Sequence, residues 1–243
     1  MSDLHPATRG FTSAERYERG RPDYPAAAIA AIVSELDLRA GRTVLDLAAG
    51  TGKLTRLLVP SGANVLAVEP IREMREKIGS GVVALAGTAE KIPLAGGFVD
   101  AVTVGQAFHW FDADAALREM HRVLQPGGGV ALIWNARDER QPLQAALTEI
   151  IDPLEGDTPR RQGRDWKTLL AESGLYERTR RLLFEHTQPV DEDGVVDRVL
   201  SISFIALAPD DVRADVEARV REVARDAREL SYMTELYLGF AAS

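Results

Sequence analysis

The stretch Thr43-Val44-Leu45-Asp46-Leu47 is a short apolar run that breaks at Ala48-Ala49-Gly50-Thr51-Gly52 and resumes as a helical pattern to about Val59. A buried strand that feeds a helix through a glycine-containing turn is the first half of a βαβ unit. The alternation then repeats. Val65-Leu66-Ala67-Val68, Val82-Val83-Ala84-Leu85, 99–104 and 130–134 read as further strands, with helices expected at 71–78 and 113–124 between them. Pro126-Gly127-Gly128-Gly129 is expected to stop the second of these helices. Strands alternating with helices imply a doubly wound, mainly parallel α/β sheet with helices on both faces, which is why the strand runs lack a polar side.

Before this pattern, Pro25 opens a helix marked by Ile29, Ile32, Val33 and Leu36. Residues 1–24 have no period, but carry Phe11, Tyr17 and Tyr24, so they are expected to lie over the core or to form a lid over a site. Residues 25–243 are expected to form a single domain. In its last hundred residues, helical pieces around 143–151 and 166–173 precede a strand at 181–188. A helix striped by Val212, Val216, Val220, Val223 and Ala227 and a closing strand at 230–240 follow.

Composition narrows the function. Acidic residues outnumber basic ones 37 to 29, a formal charge of −8, which argues against a nucleic-acid partner because basic surface supplies most phosphate affinity. The chain has no cysteine, which excludes disulfides, thiolate metal sites and cysteine nucleophiles. No apolar run nears the ~20 residues of a bilayer crossing, and no basic-then-apolar signal pattern opens the chain. The expectation is a cytoplasmic monomer or homodimer with no metal and no membrane partner.

Three ligand readings compete at the turn. A P-loop needs glycine where Leu47 stands and Ser or Thr where Leu54 stands, so that reading fails. A nicotinamide dinucleotide site needs a third small residue, and Gly50-Thr51-Gly52-Lys53-Leu54-Thr55 lacks it. The third is S-adenosylmethionine, which carries an ammonium, a ribose diol and no phosphate. Asp46 suits its cationic end. Glu69, 17 residues beyond Gly52, can accept hydrogen bonds from ribose hydroxyls. Glu69 alone fits a nicotinamide site equally well; the pair favours the sulfonium nucleoside. A nicotinamide-dependent oxidoreductase and a non-catalytic binder of the sulfonium nucleoside remain the alternatives.

Over about residues 17–134 the chain resembles the class I S-adenosylmethionine-dependent methyltransferases. Asp46-Leu47-Ala48-Ala49-Gly50-Thr51-Gly52 is similar to the family's first motif, with Ala48 where glycine is commoner. Val68-Glu69-Pro70 resembles the acidic motif of the second strand. Met74 matches an apolar position against adenine, and Gly87-Thr88-Ala89-Glu90-Lys91-Ile92-Pro93-Leu94 resembles the third-strand motif. Phe98-Val99-Asp100-Ala101-Val102 is similar to the fourth strand, and Arg122-Val123-Leu124-Gln125-Pro126-Gly127-Gly128 to the turn before the fifth. The resemblance implies a Rossmann-like sheet of seven strands, the last antiparallel. It also implies a cofactor set of Asp46, Ala48, Ala49, Gly50, Gly52, Glu69, Pro70, Met74, Thr88, Ala89, Glu90, Gln106 and Ala107.

The methyl acceptor is expected to lie beyond the fourth strand, at Gly105-Gln106-Ala107-Phe108-His109-Trp110-Phe111-Asp112, because ligands of open α/β sheets sit past the carboxyl ends of the strands. No Asn or Asp followed by Pro-Pro occurs there, as amino-group methylases of DNA or glutamine would show. His109 is the candidate proton acceptor, or a hydrogen-bond partner to an acceptor carboxylate, and Trp110 a flat wall beside it. The competing reading is that both only pack. His121 on the next helix reads as structural or exposed. Tyr17-Glu18-Arg19-Gly20-Arg21-Pro22-Asp23-Tyr24-Pro25 resembles the lid of a small-molecule branch that includes trans-aconitate methyltransferase-like proteins. That likeness implies Tyr17 and Arg21 as substrate contacts. The expected function is methyl transfer to a small molecule at oxygen, hydroxyl or carboxylate.

Overall fold

A computed structural model describes residues 21–156, 158 and 166–242. They group into two compact units, where the sequence reading has one body from residue 25. The first unit comprises Tyr24–Asn135 with 166–184 and 234–242, and the second comprises 21–23, 136–156 and 158 with 185–233. The elements in chain order are α1 (Ala26–Glu35), β1 (Thr43–Leu47), α2 (Lys53–Leu58), β2 (Asn64–Val68), α3 (Arg72–Arg75) and β3 (Val83–Leu85). There follow β4 (Val99–Gly105), α4 (Ala113–Val123), β5 (Leu124–Arg137), α5 (Pro142–Ile151) and α6 (Trp166–Glu172). The last are β6 (Tyr176–Pro189), α7 (Glu192–Leu200), α8 (Ser203–Ala206), α9 (Asp210–Ala224) and β7 (Glu229–Ala241).

The strands form one seven-stranded sheet in the order β3-β2-β1-β4-β5-β7-β6. β1 pairs in parallel with β2 and β4, β2 with β3, and β4 with β5. Alternate strand residues feed two cores, as a sheet covered on both faces requires. Leu45, Leu66, Val102 and Leu132 pack with Leu117, Met120 and Val123 of α4 and with Trp166 and Leu170 of α6. Val44, Val65, Ala101 and Ile133 pack with Ala28 and Ile32 of α1 and Leu54 and Leu58 of α2. In the second unit, α5, α7 and α9 bury Leu147, Ile150, Val195, Val199, Val216 and Val220 around Leu230 and Tyr232.

Several elements differ from the expectation. α7 and α8 went unread, because Val195, Val196 and Val199 look like a strand and Gly194 lies in the first turn. The signal was nevertheless present: Asp191 caps α7 by accepting the Gly194 N–H at 2.9 Å, and Glu192 and Asp193 favour the helix's positive end. Pro126-Gly127-Gly128 does not separate α4 from the fifth strand. It lies within β5 as a bulge, since the pairing jumps from Val99↔Leu124 to Ala101↔Gly129. α3 is shorter than the expected 71–78. Residues 1–20 of the expected lid fall outside the described residues. Among the described residues, no helix is long and apolar enough to cross a membrane.

At the amino-terminal edge of the sheet, Asp100 of β4 sets the start of β1. Its Oδ2 accepts the Thr43 N–H at 2.7 Å and its Oδ1 accepts Arg42 Nη1 at 2.6 Å. Removing that carboxylate leaves a partly buried backbone donor unmatched. Asp100→Ala is expected to destabilise the fold by about 1–3 kcal/mol in denaturant unfolding, and Asp100→Asn by less.

Candidate active site

Because β1, β2 and β4 run parallel as neighbours, the segments that leave their carboxyl ends start at one edge of the sheet. The turn after β1 is held in a left-handed backbone at three positions: Ala48 (φ 55°), Gly50 (φ 58°) and Gly52 (φ 85°). Ala48 is strained there, since an L side chain in this region costs roughly 1–2 kcal/mol. Gly52 has a second reason to lack a side chain: a Cβ would come within 3.1 Å of the Ile78 Cα. At Gly50 a Cβ would meet no atom within 4 Å, so the backbone there faces open space. Beside it the Thr51 hydroxyl, on a residue only 1% exposed, has no partner.

Glu69 follows β2 and closes the crevice from the other strand. Its Oε2 accepts the Gly50 N–H at 2.9 Å and its Oε1 accepts the Ile71 N–H at 2.8 Å. Burial pushes the Glu69 carboxyl above the usual range, and these two backbone donors oppose that shift. Arg75 Nη1 donates to the Glu69 backbone carbonyl at 2.6 Å and fixes the chain that carries it. Pro70 is half-buried and Met74 is buried on α3.

Asp46, expected at a ligand's cationic end, is a buried side chain, 1% exposed. Oδ2 accepts the Thr55 hydroxyl at 2.5 Å and Oδ1 the Thr103 hydroxyl at 3.3 Å. The register Asp46↔Thr103 and the first turns of α2 create this arrangement, so it links β1, β4 and α2. Thr55 and Thr103 were missed. Thr55 figured only as the last residue of the Gly50–Thr55 stretch, and only the strand register brings Thr103 to the carboxyl.

The remaining expected cofactor residues border the same edge. Ala89 is buried, while Thr88 and Glu90 are half-buried on the loop after β3. Glu90 Oε1 accepts the Asp112 N–H at 3.1 Å, and so connects that loop to the cap of α4. Gln106 leaves β4 with φ 59°, its N–H on the Ile133 carbonyl at 2.9 Å. Ala107 then enters a single tight turn, Phe108–Trp110. His109 and Trp110 are both half-buried, their rings 5.2 Å apart and tilted by 39°. Trp134 of β5, unread as a site residue, donates its indole N–H to His109 Nδ1 at 3.3 Å. Gly105 lacks a side chain where the Tyr24 hydroxyl sits, 2.6 Å from the position of its Cβ. Arg21 is half-buried and outside the first unit, and Tyr17 lies outside the described residues. Among the described residues, no three His, Cys, Asp or Glu side chains could hold a metal ion.

The turn at the end of β1 leaves open space at Gly50 and an orphaned buried hydroxyl at Thr51, and the Glu69 carboxylate at the end of β2 bonds to that turn. This arrangement fits the sulfonium nucleoside. A family profile described as a methyltransferase domain matches residues 45–132. The chain is 43% identical over 210 residues to an uncharacterized methyltransferase of Mycobacterium bovis, which spans 85% of this chain and 82% of that one. It is 32% identical over 219 residues to an uncharacterized methyltransferase-like protein of Schizosaccharomyces pombe, across 88% of this chain and 85% of that one. The solved structure of a geranyl diphosphate methyltransferase in complex with GPP and sinefungin shares the fold, with a TM-score of 0.52 and 17% identity over 89% of this chain and 77% of that one. The chain therefore belongs to the S-adenosylmethionine-dependent methyltransferases, and S-adenosylmethionine is its cofactor. That membership removes the nicotinamide alternative.

Burial raises the Asp46 carboxyl from 3.8 to about 7, against the pull of the two threonine hydroxyls. Between pH about 4 and about 7, the folded chain therefore keeps a proton that the unfolded chain has released. Raising the pH across this window favours unfolding, by up to roughly 4 kcal/mol from this group. Asp46→Asn is expected to flatten that slope in denaturant melts. A slope equal to the parent's would contradict the assignment.

Proposed function

We propose that this enzyme methylates an oxygen, hydroxyl or carboxylate, of a small-molecule acceptor held beyond β4. The observation that carries the reading is the turn Phe108–Trp110. It follows β4, the neighbour of β1 in the sheet, and presents one imidazole, whose Nδ1 accepts the Trp134 N–H, and one flat indole. Such a pair can orient a polar acceptor group and shield it from water.

When bound, the cofactor supplies a methyl group on a positively charged sulfur, a good leaving group. The chain's contribution is therefore positioning. Glu69 keeps lone pairs beyond the two backbone donors it already accepts, and offers them to the ribose hydroxyls. Gly50 lets the backbone approach the nucleoside, and Thr51 contributes its unmatched hydroxyl. Asp46 acts one step removed, by holding Thr55 and Thr103 so that the turn keeps its shape. Ala48, Ala49 and Gly52 shape the same turn. Met74, Ala89 and Glu90 border the base, and Pro70, Thr88, Gln106 and Ala107 complete the rim. The net charge of −8 supports a small molecule over a nucleic acid.

Glu69→Ala is expected to weaken S-adenosylmethionine binding by about 1–3 kcal/mol in calorimetry, the scale of lost charge-assisted hydrogen bonds. Unchanged affinity would remove Glu69 from the site. With an acceptor panel, S-adenosylhomocysteine release should accompany an O-methylated product; a product methylated only at nitrogen or carbon would overturn the oxygen assignment. His109→Ala is expected to lower turnover roughly 10- to 100-fold while cofactor affinity holds. Full activity on that acceptor would exclude His109 from contact with it.

A further inference from the structure

We propose that Glu119 and Arg122 of α4 are positioning residues for the cofactor: together they fix the loop between β3 and β4, and so set the enzyme's selection of adenine over a deaminated base. This rests on the proposed placement of Ala89 and Glu90 beside the base.

Residues 86–98 join β3 to β4 without a helix or strand of their own, and their internal pairing is an isolated bridge between Thr88 and Lys91. Such a loop keeps one conformation when groups outside it satisfy its backbone. α4 supplies those groups. Glu119 Oε2 accepts the Ile92 N–H at 2.9 Å, while Arg122 Nη2 donates to the Ile92 carbonyl at 3.0 Å. Arg122 Nη1 donates to the Leu94 carbonyl at 2.8 Å. The two side chains lie three residues apart on one helix face and are locked to each other as a fork, Nε to Oε1 at 2.6 Å and Nη2 to Oε2 at 2.7 Å. The guanidinium also holds the Glu119 carboxyl below the usual carboxylate range, so the fork stays charged.

The rest of the loop is tied to the same helix. Ala89 and Ile92 are buried in one core with Leu117 and Met120 of α4. Glu90 Oε1 accepts the N–H of Asp112, the cap of α4. At the loop's exit the Arg122 carbonyl accepts the Gly97 N–H at 2.9 Å, and the Val123 carbonyl accepts the Phe98 N–H at 2.8 Å. The side chains of the fork are 21% and 40% exposed, so its worth to global stability is small. Its consequence is geometric. Hypoxanthine differs from adenine by a carbonyl in place of the amino group and a proton on N1, which inverts donors and acceptors along that edge. A loop held in one conformation leaves unpaired groups against the wrong edge, whereas a loose loop rearranges to suit either. Lysine cannot replace the fork, because a single ammonium does not span a carboxylate and two carbonyls in one plane.

Calorimetry with S-adenosylhomocysteine and its hypoxanthine counterpart, S-inosylhomocysteine, tests the proposal without an acceptor. The parent enzyme is expected to bind the adenine compound at least about tenfold more tightly. In Arg122→Lys and in Glu119→Gln, affinity for S-adenosylhomocysteine is expected to fall about tenfold and the preference to shrink to about threefold or less. Two controls separate this from a general loss of structure. Asp100→Ala, which weakens the fold from the opposite edge of the sheet, is expected to keep the parent's preference. Glu69→Ala, acting at the ribose, is expected to weaken both compounds alike. A parent with no preference would overturn the placement of Ala89 and Glu90 and the proposal with it. A parent preference that both variants retain would overturn the roles of Glu119 and Arg122 alone. If Arg122→Lys does not fold, the ratio in Glu119→Gln decides.

Discussion

The Glu69 carboxylate, shared between the N–H of Gly50 and the N–H of Ile71, binds the turn after β1 to the end of β2. Both strand ends carry a bend that the backbone would not hold unaided. The first includes Ala48 in the left-handed region, and the second must swing straight from β2 into α3. Charge-assisted hydrogen bonds are about twice as strong as neutral ones, and here the acceptor is 4% exposed. One side chain thus shapes the crevice and forms part of its wall. Asp46 does the matching work from below, where Thr55 and Thr103 connect α2, β1 and β4.

This division of labour explains two carboxyls so close together in a chain with no metal-binding cluster among its described residues. Neither faces bulk water, and burial raises both above their ordinary values. Asp46 tolerates this because two hydroxyls donate to it, Glu69 because two backbone amides do. The hydroxyl pair gives a weaker anchor and leaves a carboxyl that titrates near neutrality. The amide pair leaves lone pairs on Glu69 for a ligand.

The parts of this design that the sequence revealed are those fixed by local pattern. β1, β2 and β4 stand out because strands covered on both faces are continuously apolar. α4 stands out because Ala116, Leu117, Met120 and Val123 recur at helical spacing. The turn and Glu69 are legible because their residue types are rare at strand ends without a reason. Thr103 and Trp134 could not be found that way. Each matters through a neighbour far along the chain, Asp46 in one case and His109 in the other, and strand register alone brings them together. Asp46 stood out as a carboxylate near the end of a strand, but its two threonine partners did not, since a strand pattern does not say what a penultimate side chain meets. α7 was hidden for the opposite reason: its valines carry a local preference for strand that packing against α9 overrides.

The central claim is that the crevice between the ends of β1 and β2 seats the nucleoside, with its sugar on Glu69. A crystal structure of the enzyme soaked with S-adenosylhomocysteine tests it most directly. The account predicts the nucleoside against Gly50, with both ribose hydroxyls within about 2.5–3.0 Å of the Glu69 carboxylate. A nucleoside bound elsewhere, or a Glu69 that keeps only its two backbone partners while the ligand sits beside it, would contradict the account.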